Sequence, residues 1–410
     1  MPRTTTLSAN DSYRAVSAVL FLCLFAAQAG AIALSPILVE VARDLDVSTA
    51  SAGQLRTIAG LVAGVTALTL GRVGGRMGLG RQLLGGSILL ALGSLMSAGA
   101  PNLTLLAAAQ VPVGAGIAIL TTSGTVAAAA WTPPERRTAA LSWALVGQPA
   151  AWIVGMPLTG LVGGANWRYA WLALPLSAAL LAGAAVVGRR GERPMSTPPS
   201  RLRVVLAAPG LARWLVAELL ANTAWAGTLV YSGALFVESY DASTDLTGAL
   251  LAIGAGAYVA GNLAFRRFVD REPERLLVAL AIALAAMTVL FGALRPSLVV
   301  STAFFSAAAF AAGARTFISS AFGLAAPAEL RPGAMAMRAG SMQFGYFAGS
   351  FTGGLALALG GYPALGSALG VLFLAAAAAA ATPSGRSRAR RLGAAPELVR
   401  PRLVPYRARG

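Results

Sequence analysis

Long apolar runs, separated by short polar or basic turns, occupy most of the chain. A helix needs roughly 20 apolar residues to cross about 30 Å of hydrocarbon, and twelve runs are that long. They are 14–38, 50–70, 81–100, 103–130, 138–162, 167–188, 210–236, 245–264, 275–293, 297–324, 335–358 and 361–382. The pattern predicts an all-α integral membrane protein with twelve transmembrane helices.

The longest interior break, 189–209, is rich in Pro, Ser and Arg and divides the twelve runs into six and six. We therefore expect a cytosolic arm at 1–13, an N-terminal bundle at 14–188, a cytosolic linker, a C-terminal bundle at 210–382 and a basic cytosolic tail at 383–410. Within the break, the residues RLRVVLAA are compatible with a short surface helix or with a solvated linker.

The two halves share spaced features that indicate an internal repeat. The turn beginning at Gly71 has a counterpart beginning at Gly261, and Gly147 and Gly155 have counterparts 198 residues later at Gly345 and Gly353. Such a repeat is typical of transporters built from two similar halves with the solute path between them.

Composition supports a membrane protein and restricts its chemistry. The chain is 57% hydrophobic and 11% charged, whereas soluble domains carry about a quarter charged residues. It has no His, no Lys and one Cys, so His-based triads, Schiff-base lysines and CxxC pairs are excluded, and we expect no metal and no cofactor. The first run could also serve as a secretory signal, but no soluble body follows it.

The distribution of arginines along the chain indicates its orientation in the membrane. The net charge is +17, and 27 of the 32 basic residues fall on the arm, the tail and alternate turns. This distribution predicts that both termini are cytosolic. Every basic residue is Arg, as in proteins of GC-rich bacterial genomes, so we expect the membrane to be a bacterial inner (cytoplasmic) membrane. The basic residues form no continuous patch, so no nucleic-acid partner is expected.

The segment GRVGGRMGLGR, 71–81, raises two possibilities: a phosphate-binding loop, or a turn between membrane helices. A Walker loop requires a Lys and a dinucleotide fingerprint requires GxGxxG, and both are missing. The segment resembles the loop signature of the major facilitator superfamily, matched at Gly71, Val73, Gly74, Arg76, Gly78 and Arg81. That resemblance implies a fold of two pseudo-symmetric six-helix bundles and a gating loop with Gly71, Arg72, Arg76, Gly78 and Arg81.

The loop departs from the signature at one position, because the expected aspartate is Gly75. If the loop gates, its arginines need another partner, such as Glu135 or helix C-terminal carbonyls. The alternative is that these arginines only anchor the orientation.

The fifth run also resembles that superfamily, in particular its twelve-helix drug:proton antiporters and sugar-efflux relatives. It carries Gly147, Pro149, Gly155, Pro157 and Gly160, a set that allows a bend and close packing. Two charges tied to proton coupling in those relatives are missing, since Gln110 replaces a helix-4 arginine and Gln28 is the polar residue nearest the helix-1 acid.

Two ionisable residues lie deep in predicted spans and are functional candidates for that reason. Glu218 in the seventh and Arg315 in the tenth lie at similar depth. Trp214, Glu218, Asn222 and Trp225 form one stripe at helical spacing. We expect Glu218 and Arg315 to pair facing a central cavity, either as a proton-coupling site or as a static structural pair.

Weaker candidates come from neutral side chains. Gln28 and Ser35 in the first helix, and Gln110 and Thr121 in the fourth, could donate hydrogen bonds, and Trp152 and Tyr231 could be cavity aromatics. Arg56 is expected to extend to the membrane surface, or else to guard the outer mouth.

These features predict a monomeric, multi-pass secondary transporter in the lipid bilayer that exports a small amphipathic or drug-like molecule in exchange for protons. The alternatives are a sugar or metabolite transporter and an uncoupled facilitator. An intramembrane enzyme would need clustered acids or a nucleophile with its base, so no enzyme activity is expected.

Overall fold

The computed structural model describes residues 9–73, 77–189, 202–268, 272–327 and 329–381. Over these residues the chain is helical, with short turns between the helices. The helices are α1 Ala9–Ile32, α2 Leu34–Asp44, α3 Thr49–Val73, α4 Leu79–Ala98, α5 Leu103–Ala130, α6 Arg137–Ala165, α7 Trp167–Trp171, α8 Ser177–Val186, α9 Leu202–Ala207, α10 Pro209–Tyr240, α11 Thr244–Ala264, α12 Pro273–Ala293, α13 Leu298–Leu324 and α14 Arg331–Ala381.

Ten stretches of described helix are long and apolar enough to cross a membrane. One of them, Gly333–Ala381, contains a break at Gly360 and Gly361, where Gly361 has a φ of 64° that side chains disfavour, so it holds two passes. The remaining pass is α10, whose 32 residues are ample length. Together these give the twelve predicted transmembrane helices.

Several boundaries follow from local chemistry. Asn102 and Ser297 cap α5 and α13, because their side-chain oxygens accept from backbone N–H groups of the first turn. Pro36 removes the N–H that would bond to Ile32, and the first pass is divided there into α1 and α2. The sixth pass contains a π-turn at Leu172–Leu176, around Pro175, between α7 and α8.

The internal repeat predicted from the glycines is visible in the packing. α6 packs on α1 in the N-terminal half as α14 packs on α10 in the C-terminal half. A Cβ at Gly147 would lie 2.5 Å from the Phe21 carbonyl oxygen, and one at Gly345 would lie 2.8 Å from the Asn222 backbone. Each glycine therefore admits the backbone of the corresponding helix.

The two largest seams between the halves are α6 with α11 and α3 with α14, and α2 also packs on α10. Glycine again sets the approach, since a Cβ at Gly160 would be 2.5 Å from the Thr244 oxygen and one at Gly60 would be 2.5 Å from the Phe347 nitrogen. The outer surface of the bundle is apolar, with Val299 and Leu359 77% and 79% exposed. A surface of this kind is stable only against lipid.

The helices of the first half end with α8 at Val186, and the long helices of the second half begin with α10 at Pro209. The division at 14–188 and 210–382 stays a prediction, and most of the linker, the arm and the tail lie outside the described residues. Of the segment RLRVVLAA, Leu202–Ala207 is helical. Of the two alternatives, a short helix or an irregular linker, the structure has the helix. Its position relative to the membrane surface stays a prediction.

Candidate functional site

A buried ionic cluster joins three helices of the C-terminal half. Glu218 on α10 is within 2.7 Å of Arg315 on α13, as predicted, and within 2.9 Å of Arg338 on α14. The Glu218 side chain is 1% exposed and those of Arg315 and Arg338 are 6% and 12% exposed. Each oxygen of the carboxylate thus faces one guanidinium in a region shielded from water.

Both arginines also donate to helix carbonyls, which fixes their position. Arg315 Nη2 donates to the Ala217 oxygen at 3.1 Å, and Arg338 Nη2 donates to the Thr316 oxygen at 3.3 Å. The cluster carries one negative and two positive charges when all three groups are ionised. It therefore has a positive excess that a neutral ion pair would lack.

The polar stripe of α10 faces the interior, but mainly toward its own half. Trp214 Nε1 donates to Ser319 Oγ at 2.8 Å, and Asn222 Nδ2 donates to Ser341 Oγ at 3.2 Å.

An aromatic group crosses from one half to the other. Trp152 on α6 lies 5.1 Å from Tyr258 on α11, measured between ring centroids, and Tyr258 lies 6.2 Å from Trp225 on α10. Trp225 also stacks on Phe305 at 6.4 Å. The side chains of Trp152, Tyr258 and Trp225 are all half-buried.

Arg56 does not reach the surface, so the expectation that it extends there is wrong. It is 3% exposed, and its Cζ lies 4.4 Å from the centroid of the Tyr346 ring on α14. The reason is the close α3–α14 seam at Gly60, which covers the side chain before it can extend along the helix. Gln28 on α1 lies beside the Tyr346 hydroxyl, so three helices meet here.

The other neutral candidates have different surroundings. Gln110 Nε2 donates to Ser97 Oγ and to the Leu106 oxygen, both at 3.3 Å, within the N-terminal half. The Tyr231 hydroxyl donates to the Ser350 oxygen at 2.9 Å and is fully buried. Ser35 is buried, Thr121 is half-buried, and neither joins the aromatic group in the contacts described.

The predicted loop is only partly described. Gly71 and Arg72 belong to the last turn of α3, Gly78 precedes the first residue of α4, and Arg81 lies in the first turn of α4. Arg76 and Gly75 lie outside the described residues. Its gating role stays a prediction.

The fifth-span motif forms one uninterrupted helix, α6, with Pro149 and Pro157 inside it. Its glycines serve three different neighbours: Gly147 meets α1, Gly155 meets Leu174 at 2.8 Å and Gly160 meets α11. The motif therefore places α6 between its own bundle and the opposite half.

Three hydrogen bonds between the halves lie at one end of the bundle, the face predicted to be extracellular. Thr49 donates to Glu238, Thr244 donates to Glu40 at 3.1 Å, and Gln54 donates to the Ser350 oxygen at 3.3 Å. A surface cleft of about 1130 Å³ above them is lined by residues of both halves, including Thr49, Glu238 and Tyr362, but by none of the predicted substrate residues. The two halves are thus hydrogen-bonded to each other at the face that carries this cleft.

Known proteins share this architecture and sequence pattern. The Major Facilitator Superfamily profile matches residues 20–314. The chain belongs to the major facilitator superfamily. Its members are membrane transporters, which confirms the prediction of a transporter rather than an enzyme.

Relatives of this superfamily transporter include drug-resistance proteins. It is 27% identical to the MFS-type transporter YfhI of Bacillus subtilis (strain 168), over 73% of this chain and 77% of that protein. It is 29% identical to a chloramphenicol resistance protein of Streptomyces lividans, over 60% of this chain and 64% of the relative. A multidrug resistance protein B homolog of Mycobacterium tuberculosis (strain ATCC 25618 / H37Rv) is 34% identical over 36% of this chain and 28% of its own length.

Solved structures confirm the fold of the superfamily. A bacterial homolog of the human lysosomal transporter Spinster, in an inward-facing and unoccupied conformation, aligns with a TM-score of 0.71 and 14% identity over 91% of this chain and 96% of its own. A D-xylose-proton symporter aligns with a TM-score of 0.72 and 15% identity over 90% and 98%. At these identities the likeness concerns the fold alone.

Sequence reasoning missed Arg338, Tyr258 and Tyr346. Arg338 lies near the start of a predicted span, so the charge pattern places it with the basic residues of the cytosolic turns. A signal was present, since Arg338 follows Arg331 by two helical turns and so lies on the same face, deeper in the helix. The two tyrosines are ordinary helix aromatics in sequence, and only the packing of α11 and α14 brings them to the centre.

Proposed function

We propose that this transporter exports a small amphipathic or drug-like compound in exchange for protons, by alternating access between the two halves. The observation that carries the proposal is the buried Glu218 carboxylate, held between Arg315 and Arg338. A carboxyl group in the membrane interior that can exchange its arginine partners for a proton is what coupling requires. The chloramphenicol and multidrug resistance relatives support efflux of drug-like compounds.

The cluster would act through competition for the carboxylate. When Glu218 is ionised, it binds both arginines and ties α10 to α13 and α14. When it takes up a proton, its attraction for them falls, and Arg338, the more exposed of the two, is freer to move. Proton binding would thereby loosen contacts within the C-terminal half, on the side of the cluster where α14 meets α3.

The path would open and close at the two seams. The three hydrogen bonds near Glu238 close the face predicted to be extracellular, and their rupture would expose the centre to that side. We infer that the protein works as a monomer in a bacterial cytoplasmic membrane with both termini cytosolic, because the arginine distribution favours that orientation.

A proteoliposome experiment tests the proposal. Purified protein is reconstituted with a pH-sensitive dye inside, a pH gradient is imposed, and candidate drug-like solutes are added. Proton movement that depends on solute is expected for the native chain and not for Glu218→Gln. Full proton-driven transport by Glu218→Gln would remove the coupling role, and a Glu329→Gln variant, altered at an exposed acid, is the control.

The second candidate is an uncoupled facilitator or a sugar or metabolite transporter. It is favoured by the position of Gln28, where related antiporters have an acid, because Gln28 cannot exchange a proton in the physiological range. Solute flux that does not respond to the imposed gradient, in the native chain and in Glu218→Gln alike, would favour the facilitator.

A further inference from the structure

The centre of the bundle contains hydrogen-bond donors without acceptors. Among the described residues, six buried nitrogens that carry N–H groups have no hydrogen-bond acceptor. They are Arg56 Nε, Nη1 and Nη2, Gln28 Nε2, and the indole nitrogens of Trp152 and Trp225. Buried polar groups in proteins are almost always paired, and a buried charge more strictly so. Four side chains, from four different helices, thus have buried N–H donors that an acceptor from outside the chain could pair.

Arg56 is the most costly of these groups. Its guanidinium is buried, and within the part of the chain that the structure describes no carboxylate lies within salt-bridge distance of it. The face of the Tyr346 ring offers a cation–π contact, which compensates only part of the lost hydration. Glu218 is not available as a counter-ion, because Arg315 and Arg338 already hold its two oxygens.

The donors and the aromatic group form one region between the halves. Arg56 contacts Tyr346, Tyr346 lies beside Gln28, and Tyr258 lies within electrostatic range of Tyr346. Tyr258 in turn lies between Trp152 and Trp225. The region therefore combines a positive charge, neutral N–H donors and the faces of flat rings.

We propose that the solute of this transporter is an organic anion, an aromatic carboxylate, whose carboxylate binds Arg56 and whose ring packs against Trp152, Tyr258 and Trp225. The proposal rests on the transport function proposed above, since it assigns the solute of that path. A carboxylate supplies acceptors only, which is the complement of the unpaired N–H donors of Arg56, Gln28, Trp152 and Trp225. The planar guanidinium fork binds such a group with two parallel hydrogen bonds.

The charges of the centre favour an anion over a cation. Around the region, Arg56, Arg315 and Arg338 carry three positive charges against the single negative charge of Glu218. A cationic solute would meet this excess without a free carboxylate among the described central residues. An anionic solute would reduce this excess of positive charge.

The test measures binding to the purified full-length protein in detergent by calorimetry. The probes are 2-naphthoate, 2-naphthamide and 2-(aminomethyl)naphthalene, which share one ring system and carry a negative, zero and positive charge at neutral pH. The native protein is expected to bind the carboxylate on the order of tenfold or more tighter than the amide, since hydrogen bonds between two charged groups are stronger than those to a neutral one. The amine is expected to bind most weakly.

The variants locate that preference. Arg56→Gln should bind carboxylate and amide equally, Arg56→Lys should keep part of the preference, and Arg275→Gln, at an exposed arginine, should behave like the native chain. Arg56→Gln should also raise the midpoint of thermal unfolding without solute, because it removes an unpaired buried charge. A lowered midpoint, tighter binding of the amine, an unchanged preference in Arg56→Gln, or no binding of naphthoate at millimolar concentration would each overturn the proposal.

The outcome is separable from the transport function. If naphthoate binds through Arg56 but is not moved across proteoliposome membranes, the anion site stands and the transport proposal fails for that solute. If proton-linked transport of a neutral or cationic solute is unaffected by Arg56→Gln, the transport function stands and the anion site is wrong.

Discussion

Arg338 Nε lies 2.9 Å from Glu218 Oε2, so the carboxylate has a second guanidinium beside the one contributed by Arg315. Because of this second guanidinium, neutralising Arg338 and neutralising Glu218 leave different charges buried in the cluster. Removal of Arg338 leaves a neutral ion pair, whereas removal of the Glu218 charge leaves two buried cations without a counter-ion.

We expect Glu218→Gln to lower the thermal stability of the detergent-solubilised protein more than Arg338→Gln does. Breaking a buried pair by neutralising one partner costs about 3–5 kcal/mol, because the other charge stays desolvated. Thermal unfolding curves of both variants, with Glu329→Gln as the exposed control, measure the difference. Equal or reversed midpoints would contradict the charge arrangement described here.

Gly248 and Gly256 on α11 form a matched pair for the seam between the halves. A Cβ at Gly248 would lie 2.5 Å from the Met156 oxygen of α6, whereas a Cβ at Gly256 meets nothing within 4 Å. We expect Gly248→Ala to separate the halves and raise maleimide labelling of a cysteine at Ala50 several-fold, while Gly256→Ala leaves labelling unchanged. Cys23 is fully buried, so background labelling is expected to be low. Similar labelling in both variants would contradict the view that the contact at Gly248 holds α6 against α11.

Glu238 offers a second comparison at the same face. Its carboxylate accepts from Thr49 of the opposite half and from the Tyr362 hydroxyl of its own half, the latter at 2.8 Å. Glu238→Ala should therefore increase labelling of the Ala50 cysteine, because it breaks a bond between the halves. Tyr362→Phe removes only the bond within one half, so labelling should stay at the native level. If the two substitutions act alike, Thr49–Glu238 does not hold this face closed.

Orientation can be measured with two exposed arginines at opposite ends of the bundle. Arg43 and Arg275 each pair with a glutamate three residues earlier, and their side chains are 60% and 73% exposed. In intact cells, a membrane-impermeant maleimide should label Arg43→Cys and should label Arg275→Cys only after lysis. The reverse pattern would invert the predicted topology.

The twelve passes were predictable because membrane length and apolar composition are properties of each segment alone. The caps at Asn102 and Ser297 explain why the starts of α5 and α13 fall within a residue of the predictions. The Glu218–Arg315 pair was also predictable, since both residues lie at the same depth and an isolated charge is costly there.

What the sequence could not provide is the direction in which a side chain leaves its helix relative to other helices. Arg56 was expected at the surface because its distance from the helix end allows it, yet the neighbouring α14 covers it. Tyr346 and Tyr258 gave no signal for the same reason, since their importance comes from the helices that pack beside them. The depth of a residue in the membrane follows from its position along one helix. Its contacts depend on how two helices are rotated relative to each other.

The seam through Gly160 and Gly248 brings backbone against backbone, with their Cα atoms in direct apposition. A surface without side chains has no rotamers to rearrange, and glycine loses no side-chain entropy when it is packed. Sliding or tilting of α6 over α11 would therefore meet little resistance from interlocking side chains.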